Sequence, residues 1–270
     1  MSFRPKLIAS DLDGTIVANY GDITQRTIDV FRKADEMGIP IFFVTGRPPR
    51  WMPEIQEAFG VGSAICGNGA MLYDLPTGKV LEEWLLPVEA QVATVRRLRN
   101  AIPDISFAVE SNSYFHREKS YIPRWDVGMD NVGVDNIEEI MNSPALKILA
   151  RCSDQRLNSD EMLEIALREL KDLATVTHSN PHDSLLEISA LGVSKGSTLA
   201  IMAKRLGIEA KDCVSFGDNP NDFSMLEWCG RSYAMEDGHP EAKKYSKSIA
   251  PPHMDDGVAQ ILEKLLQLPE

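Results

Sequence analysis

Basic charge is in short supply: 28 Lys and Arg stand against 40 Asp and Glu, a formal net charge of -12 at pH 7. Phosphate backbones and anionic membrane surfaces attract concentrated Lys and Arg, so this balance argues against both as main partners and leaves room only for a local basic pocket. Cysteine is sparse as well. Cys66, Cys152, Cys213 and Cys229 form no Cys-x-x-Cys, which excludes a zinc knuckle or a small disulfide scaffold and points to buried, reduced thiols. No apolar run reaches the length of a membrane helix. The stretch from Met1 to Ser10 holds too few apolar residues for a signal-peptide core, so cytoplasmic residence is the default expectation. A phosphate loop of the Gly-x-x-x-x-Gly-Lys-Ser/Thr type is missing too. Gly60-Val61-Gly62 and Gly67-Asn68-Gly69 lack the third glycine of a dinucleotide loop and read as turns.

What is present suits an ordinary globular chain. At 270 residues, 43% hydrophobic and 25% charged, it can bury one large core or two smaller ones. The apolar run Leu7-Ile8-Ala9 reads as a buried strand that ends in Asp11-Leu12-Asp13-Gly14-Thr15. Two carboxylates one residue apart at a strand end leave it on the same side, and Gly14 allows a sharp turn. As a calcium loop the stretch fails, because Ile16 occupies the place where an EF-hand needs glycine. Ile39 to Val44 repeats the pattern and stops at Thr45-Gly46-Arg47; Cys213 to Phe216 repeats it again and stops at Gly217-Asp218-Asn219-Pro220-Asn221-Asp222.

Between these strands lie helical stripes. Thr24 is a plausible N-cap for a helix bearing Ile28, Phe31 and Ala34, with Gly38 as its stop. Ser194-Lys195-Gly196 heads another, with Leu199, Met202, Ala203 and Leu206 facing inward. Ser63 to Cys66 is a short strand, and Met71 to Tyr73 with Val80 to Trp84 form a hairpin. From Pro87 a separate pattern begins: a helix with Val92, Val95, Leu98 and Ile102, strands at Ser106 to Val109 and Leu146 to Ala150, a helix capped by Asn158 with Leu163, Ala166, Leu167 and Leu170, and a strand pair at Ala174 to His178 and Leu185 to Ser189. Tyr114 to Trp125, aromatic and of mixed charge, resists assignment. The expected fold is α/β: a Rossmann-like, doubly wound parallel sheet with a second, smaller α/β domain, divided as 1–84, 85–189 and 190–270.

Ligands of an open parallel sheet bind beyond the carboxyl ends of its strands, and Asp11, Asp13, Thr45, Arg47 and Asp218 all fall there. Asp11, Asp13, Asp218 and Asp222 would repel one another without a hard cation among them, and magnesium suits such a site. Lys195 and Thr45 add a cation and a hydroxyl of the kind that stabilises a phosphoryl group in transit. His178 and His182 stand four apart, but Pro181 breaks any helix between them, so a shared metal is not expected.

These four stretches, in this order, resemble the motifs of the haloacid dehalogenase (HAD) superfamily and, within it, the Cof-type phosphatases, whose cap is inserted between the second and third motifs. Cys66-Gly67-Asn68-Gly69-Ala70 also resembles a Cof-type stretch that precedes the cap. The resemblance implies a magnesium-dependent phosphatase acting on a small phosphate ester. Asp11 would be the nucleophile that forms an aspartyl-phosphate, and Asp13 the general acid and base. Magnesium would be held by the Asp11 carboxylate, the Asp13 backbone carbonyl and Asp218, with Asp222 supporting them. Thr45, Gly46, Lys195 and Asn221 would bind the phosphoryl group, with Arg47 and Asn68 as candidate substrate contacts. Glu110, Tyr114, His116, Arg117, Arg124 and Trp125 are candidates for a substrate-facing cap edge. A phosphomutase of the same fold and a non-catalytic phosphate-sensing regulator are the alternatives; the built-in acid/base at Asp13 speaks against the second.

Overall fold

A computed structural model describes residues 3–18, 21–111, 114–123 and 132–268. The chain divides into two compact units: one combines the stretch up to Glu82 with the stretch from Ser194, and the other is Glu83–Val193. In chain order the first stretch supplies β1 (Leu7–Ser10), α1 (Gln25–Glu36), β2 (Ile41–Val44), α2 (Met52–Phe59), β3 (Ser63–Cys66), β4 (Met71–Asp74) and β5 (Lys79–Glu83). The second unit contains α3 (Val88–Ala101), β6 (Ser106–Glu110), β7 (Phe115–Arg117), β8 (Lys147–Arg151), α4 (Ser159–Leu170), β9 (Ala174–Thr177) and β10 (Leu185–Ala190). The returning stretch adds α5 (Lys195–Arg205), β11 (Cys213–Gly217), α6 (Phe223–Trp228), β12 (Arg231–Met235), α7 (Ala242–Tyr245), β13 (Ser248–Ala250) and α8 (Gly257–Leu266).

The sheet of the first unit runs β13-β12-β11-β1-β2-β3-β4-β5. Its strands are parallel from β13 to β3, and β4 turns back antiparallel on β3. Every residue of β1 and β2 is buried, as expected of parallel strands covered on both faces. The strand order reverses at β1, and that reversal positions the site. Ser10 lies opposite Phe216 on one side and Phe43 on the other, so the chain leaves all three strands at one edge. The Asp11 amide donates to the Phe216 carbonyl at 3.0 Å, carrying the pairing one residue past β1.

Thr24 caps α1, its hydroxyl accepting the Thr27 amide at 3.2 Å, a contribution of about 1 kcal/mol. The stripe that α1 buries is Thr27, Val30, Phe31 and Ala34, with Ile28 only half-buried at its margin. Phe31 packs against Phe43 and Phe59 with ring centroids 5.2 and 5.5 Å away, tying α1 and α2 to β2. On α5, Leu199, Met202 and Ala203 are buried, whereas Leu206, expected to join them, is 50% exposed at the helix end.

The second unit is a five-stranded sheet, β7-β6-β8-β10-β9, antiparallel at every pairing. One face of it (Phe107, Val109, Ile148, Ala150, Leu186 and Ile188) packs in a single core with Val95 and Leu98 of α3 and Met162 and Ala166 of α4. Asn158 and Glu161 form a reciprocal capping box at the start of α4. Leu167, expected on the inner stripe, is 52% exposed; Met162 takes the place, because the helix is rotated by part of a turn from the expected phase. By strand alternation the opposite face carries Glu110, Lys147, Arg151 and Glu187 beside a small apolar cluster of Ala108, Phe115, Tyr121, Leu149 and Leu185. Lys147 and Glu187 form an ion pair with both side chains buried. The stretch that resisted assignment contains β7; Arg124 and Trp125 lie outside the described residues.

Candidate active site

Two loops, those leaving β1 and β11, and the first turn of α5 build the centre of the site. Lys195 is the first residue of α5, positioned by a capping box in which Ser194 and Ser197 bond reciprocally. Its side chain is fully buried, and Nζ donates to Asp11 Oδ1 at 2.5 Å and to Asp222 Oδ1 at 2.7 Å. The other oxygen of Asp222 accepts the backbone N–H groups of Asp218 and Asn219 at 2.9 and 3.0 Å, so Asp222 braces the loop as well as the lysine. Asn219 Nδ2 donates to Asp218 Oδ2 at 2.5 Å. The Thr15 hydroxyl sits 3.4 Å from both Asp11 Oδ2 and Asp218 Oδ1, bridging the two loops. Gly14 makes this approach possible: its φ is +78°, and a Cβ there would lie 2.5 Å from Asp218 Oδ2.

The electrostatics are unbalanced. Burial, then the charge of Asp222, raises the Asp11 carboxyl to about 7 despite the lysine beside it. Asp218 is pushed well above the usual carboxylate range, again by burial first and then by Asp11 and Asp222. Burial pulls the Lys195 ammonium down, but Asp11 and Asp222 more than offset it and hold the group charged above the ordinary lysine value. One cation thus faces three carboxylates. Among the described residues, Asp11, Asp218 and Asp222 are the acidic group able to share an ion, each offering an oxygen within 4.8 Å of the others. A buried, oxygen-only set with surplus negative charge fits magnesium, a hard cation that takes one or two carboxylates and keeps waters.

The remaining sequence candidates line the same edge. Thr45 is buried; its hydroxyl accepts the Arg47 amide at 3.0 Å, and its own amide donates to the Ile65 carbonyl at 2.8 Å. Gly46 lies between Thr45 and Arg47 in this turn. The Asp13 carboxylate is not part of the acidic triad. It is 58% exposed and gripped by the Arg47 guanidinium, with Nε at 2.8 Å and Nη2 at 2.5 Å. Asn221 Nδ2 donates to Asn68 Oδ1 at 3.1 Å, while Asn221 Oδ1 is buried with no hydrogen-bond partner.

In the second unit, Glu110 is buried, the Tyr114 and His116 rings lie 4.6 Å apart, and Arg117 Nη1 donates to the carbonyls of Glu118 and Tyr121 at 3.2 and 3.1 Å. His178 Nε2 meets Asp160 at 2.8 Å, an ion-pair position near the α4 N-terminus. Sequence reasoning did not assign site roles to Thr15 or Asn219. Thr15 had a legible signal, standing four residues after Asp11 beside a glycine turn; the Asn219 contact depends on a side-chain direction that spacing does not encode.

The chain matches the family profile described as haloacid dehalogenase-like hydrolase over residues 8–262, and it belongs to that family. It is 26% identical over 258 residues to the 5-amino-6-(5-phospho-D-ribitylamino)uracil phosphatase YcsE of Bacillus subtilis, covering 95% of this chain and 94% of the relative. Among solved structures it is similar in fold to SMU.1108c from Streptococcus mutans UA159, with a TM-score of 0.82 at 18% identity over 97% of this chain and 99% of the other. It is similar also to the HAD subclass IIB sugar phosphatase BT4131, with a TM-score of 0.78 at 20% identity over 96% and 98% of the two chains.

Proposed function

We propose that this member of the haloacid dehalogenase-like hydrolases is a magnesium-dependent phosphatase of small organic phosphate monoesters, with Asp11 as the nucleophile. The observation that carries the reading is the buried triad of Asp11, Asp218 and Asp222 around a single lysine at the carboxyl ends of β1 and β11. Such an excess of buried carboxylate is costly unless a cation offsets it, and that cation would also offset the negative charge of a bound phosphoryl group. Asp11 and Asp218, with the Asp13 carbonyl and Asp222 in support, would hold the magnesium, which would supply positive charge against the phosphoryl oxygens.

Covalent catalysis then divides one difficult displacement into two. An Asp11 carboxylate oxygen forms a bond to phosphorus as the ester P–O bond breaks, and Asp13 gives its proton to the departing oxygen. Water next attacks the aspartyl-phosphate, Asp13 takes the water proton, and the bond to Asp11 breaks to release phosphate. Lys195 stabilises the charge on the transferring group, and the Thr45 hydroxyl and Asn221 amide position its oxygens. The two-point grip of Arg47 orients the Asp13 carboxylate, the form that takes the proton of the attacking water. The name of the YcsE relative, a phosphatase of a phosphorylated ribityl chain, supports a small, polyhydroxylated substrate.

Comparing Asp11→Asn with the wild type on an aryl phosphate in magnesium tests the assignment; turnover retained in the variant would refute it. Running the reaction in labelled water separates hydrolysis, which places label in the released phosphate, from a mutase, which does not.

A further inference from the structure

The turn Gly67-Asn68-Gly69 follows β3 and is unusual in its backbone. All three residues have positive φ, at +58°, +57° and +113°, and the middle one is not glycine. Asn tolerates this region better than most residues, but the turn still stores strain unless its surroundings hold it. They do so from several sides. The Gly67 amide donates to the Arg47 carbonyl at 3.0 Å and the Asn68 amide to the Thr45 carbonyl at 2.9 Å. The Thr198 hydroxyl of α5 donates to the Gly69 carbonyl at 2.8 Å. A Cβ on Gly69 would collide with the Ser194 carbonyl oxygen. The turn is therefore fastened to the loop carrying Thr45 and Arg47 and to the helix start carrying Lys195.

What this fixed turn presents is the Asn68 side chain, 97% removed from solvent as its 3% exposure records, with Oδ1 accepting from Asn221 Nδ2. Asn221 comes from the loop after β11 and is itself 7% exposed. Both side chains are amides that can be seated either way round, and the bond from Asn221 Nδ2 to Asn68 Oδ1 couples their two orientations. One Nδ2 hydrogen of Asn221 is committed to Asn68, the second remains available, and Oδ1 is left as a buried acceptor without a partner.

Building on the phosphatase reading, we propose that Asn68 is a positioning residue that sets the orientation of the Asn221 amide toward the phosphoryl group. Asn68 acts through Asn221 and does not itself touch the substrate. Its left-handed backbone matters because it aims the side chain, and its rigid fastening matters because a wavering acceptor would let the amide rotate.

The test is a double-mutant cycle read by calorimetric binding of inorganic phosphate with magnesium present, alongside kcat and KM on an aryl phosphate. Asn68→Gly keeps the left-handed turn at no steric cost while deleting the side chain. Deleting the Asn68 amide, and with it the bond to Asn221, predicts phosphate binding weakened about three- to tenfold in Asn68→Gly, with a rise in KM. Asn221→Ala should lose at least as much, and the double variant no more than Asn221→Ala alone, the signature of two residues acting as one. Asn68→Ala should match Asn68→Gly in phosphate binding and differ from it only by a lower melting temperature.

Wild-type phosphate affinity in Asn68→Gly would show that the position serves only the backbone and would overturn the proposal. So would losses that multiply in the double variant. The cycle does not depend on which carboxylate attacks phosphorus: failure of the nucleophile assignment appears in Asp11→Asn and leaves the cycle readable. Absence of phosphate binding by the wild type would overturn both readings.

Discussion

Each unit of this protein buries a lysine against carboxylate, and the two arrangements differ in their arithmetic. In the second unit Lys147 meets Glu187 on a sheet face that also buries Glu110 and Arg151, two positive groups with two negative ones. In the first unit Lys195 meets Asp11 and Asp222, with Asp218 close by, one charge against three. A matched buried pair is neutral overall and can be exchanged for apolar residues with little loss. The mismatched group cannot settle that way. Its excess is expressed in the raised carboxyls of Asp11 and Asp218, which hold their protons more tightly than free carboxyls do. Local charge imbalance, more than burial as such, distinguishes the candidate site from the buried charges of the second unit.

The comparison breaks most visibly at Lys195. Lys195→Met should abolish phosphate release, by about 10³-fold or more, since the mechanism proposed above loses the group that acts on the transferring charge. At Lys147 the expected effect is on stability alone. Lys147→Met should cost about 3–5 kcal/mol in denaturant unfolding by leaving this buried face with a carboxylate in excess, and Lys147→Met with Glu187→Leu, which restores the balance, should recover most of it. Failure of the double substitution to recover would mean that the pair's role is not merely structural.

Next in size is a pH effect confined to the first unit. Asp11 loses its proton near pH 3.8 when unfolded and near 7 when folded, so the folded state binds the proton more tightly. Without metal, this group's contribution to stability falls as pH rises from about 4 to about 7 and is flat above. Melting temperatures measured in chelator at pH 5 and pH 8 should show the decline, and Asp11→Asn should reduce it. Magnesium should raise the melting temperature more at pH 8, where it need not displace a proton. The smallest effect belongs to exposed pairs: breaking Arg97 with Asp172, at 41% and 62% side-chain exposure, should leave the unfolding midpoint unchanged.

The strands β1, β2 and β11 were readable because each is a short apolar run that ends in a polar, glycine-bearing loop. Helix existence was equally plain, from Thr24 and Asn158 as caps. Helix phase was less so. Leu167 and Leu206 are apolar yet exposed, because a stripe drawn by residue type cannot tell a margin from a centre. β7 is three residues of mixed character, Phe115-His116-Arg117, held in place by pairing with β6 that no local pattern announces. Within the site, the carboxylates and the lysine were legible from their places at strand and helix ends. The grip of Arg47 on Asp13 was not, since it depends on where two side chains point across a turn.

The pairing of β1 with β11 carries a further consequence, for the time at which the protein becomes competent during its synthesis. Residue 7 finds its neighbour only at residue 213, so the strand that bears Asp11 has no partner on that flank until most of the chain has been made. Among the described residues, the strands β6 to β10 form a sheet with one another, by contrast, and are complete earlier. A ribosome-bound chain should therefore hold a finished inserted unit while the edge of the candidate site is still open, and the last loop to arrive brings Asp218, Asn221 and Asp222 together in one step.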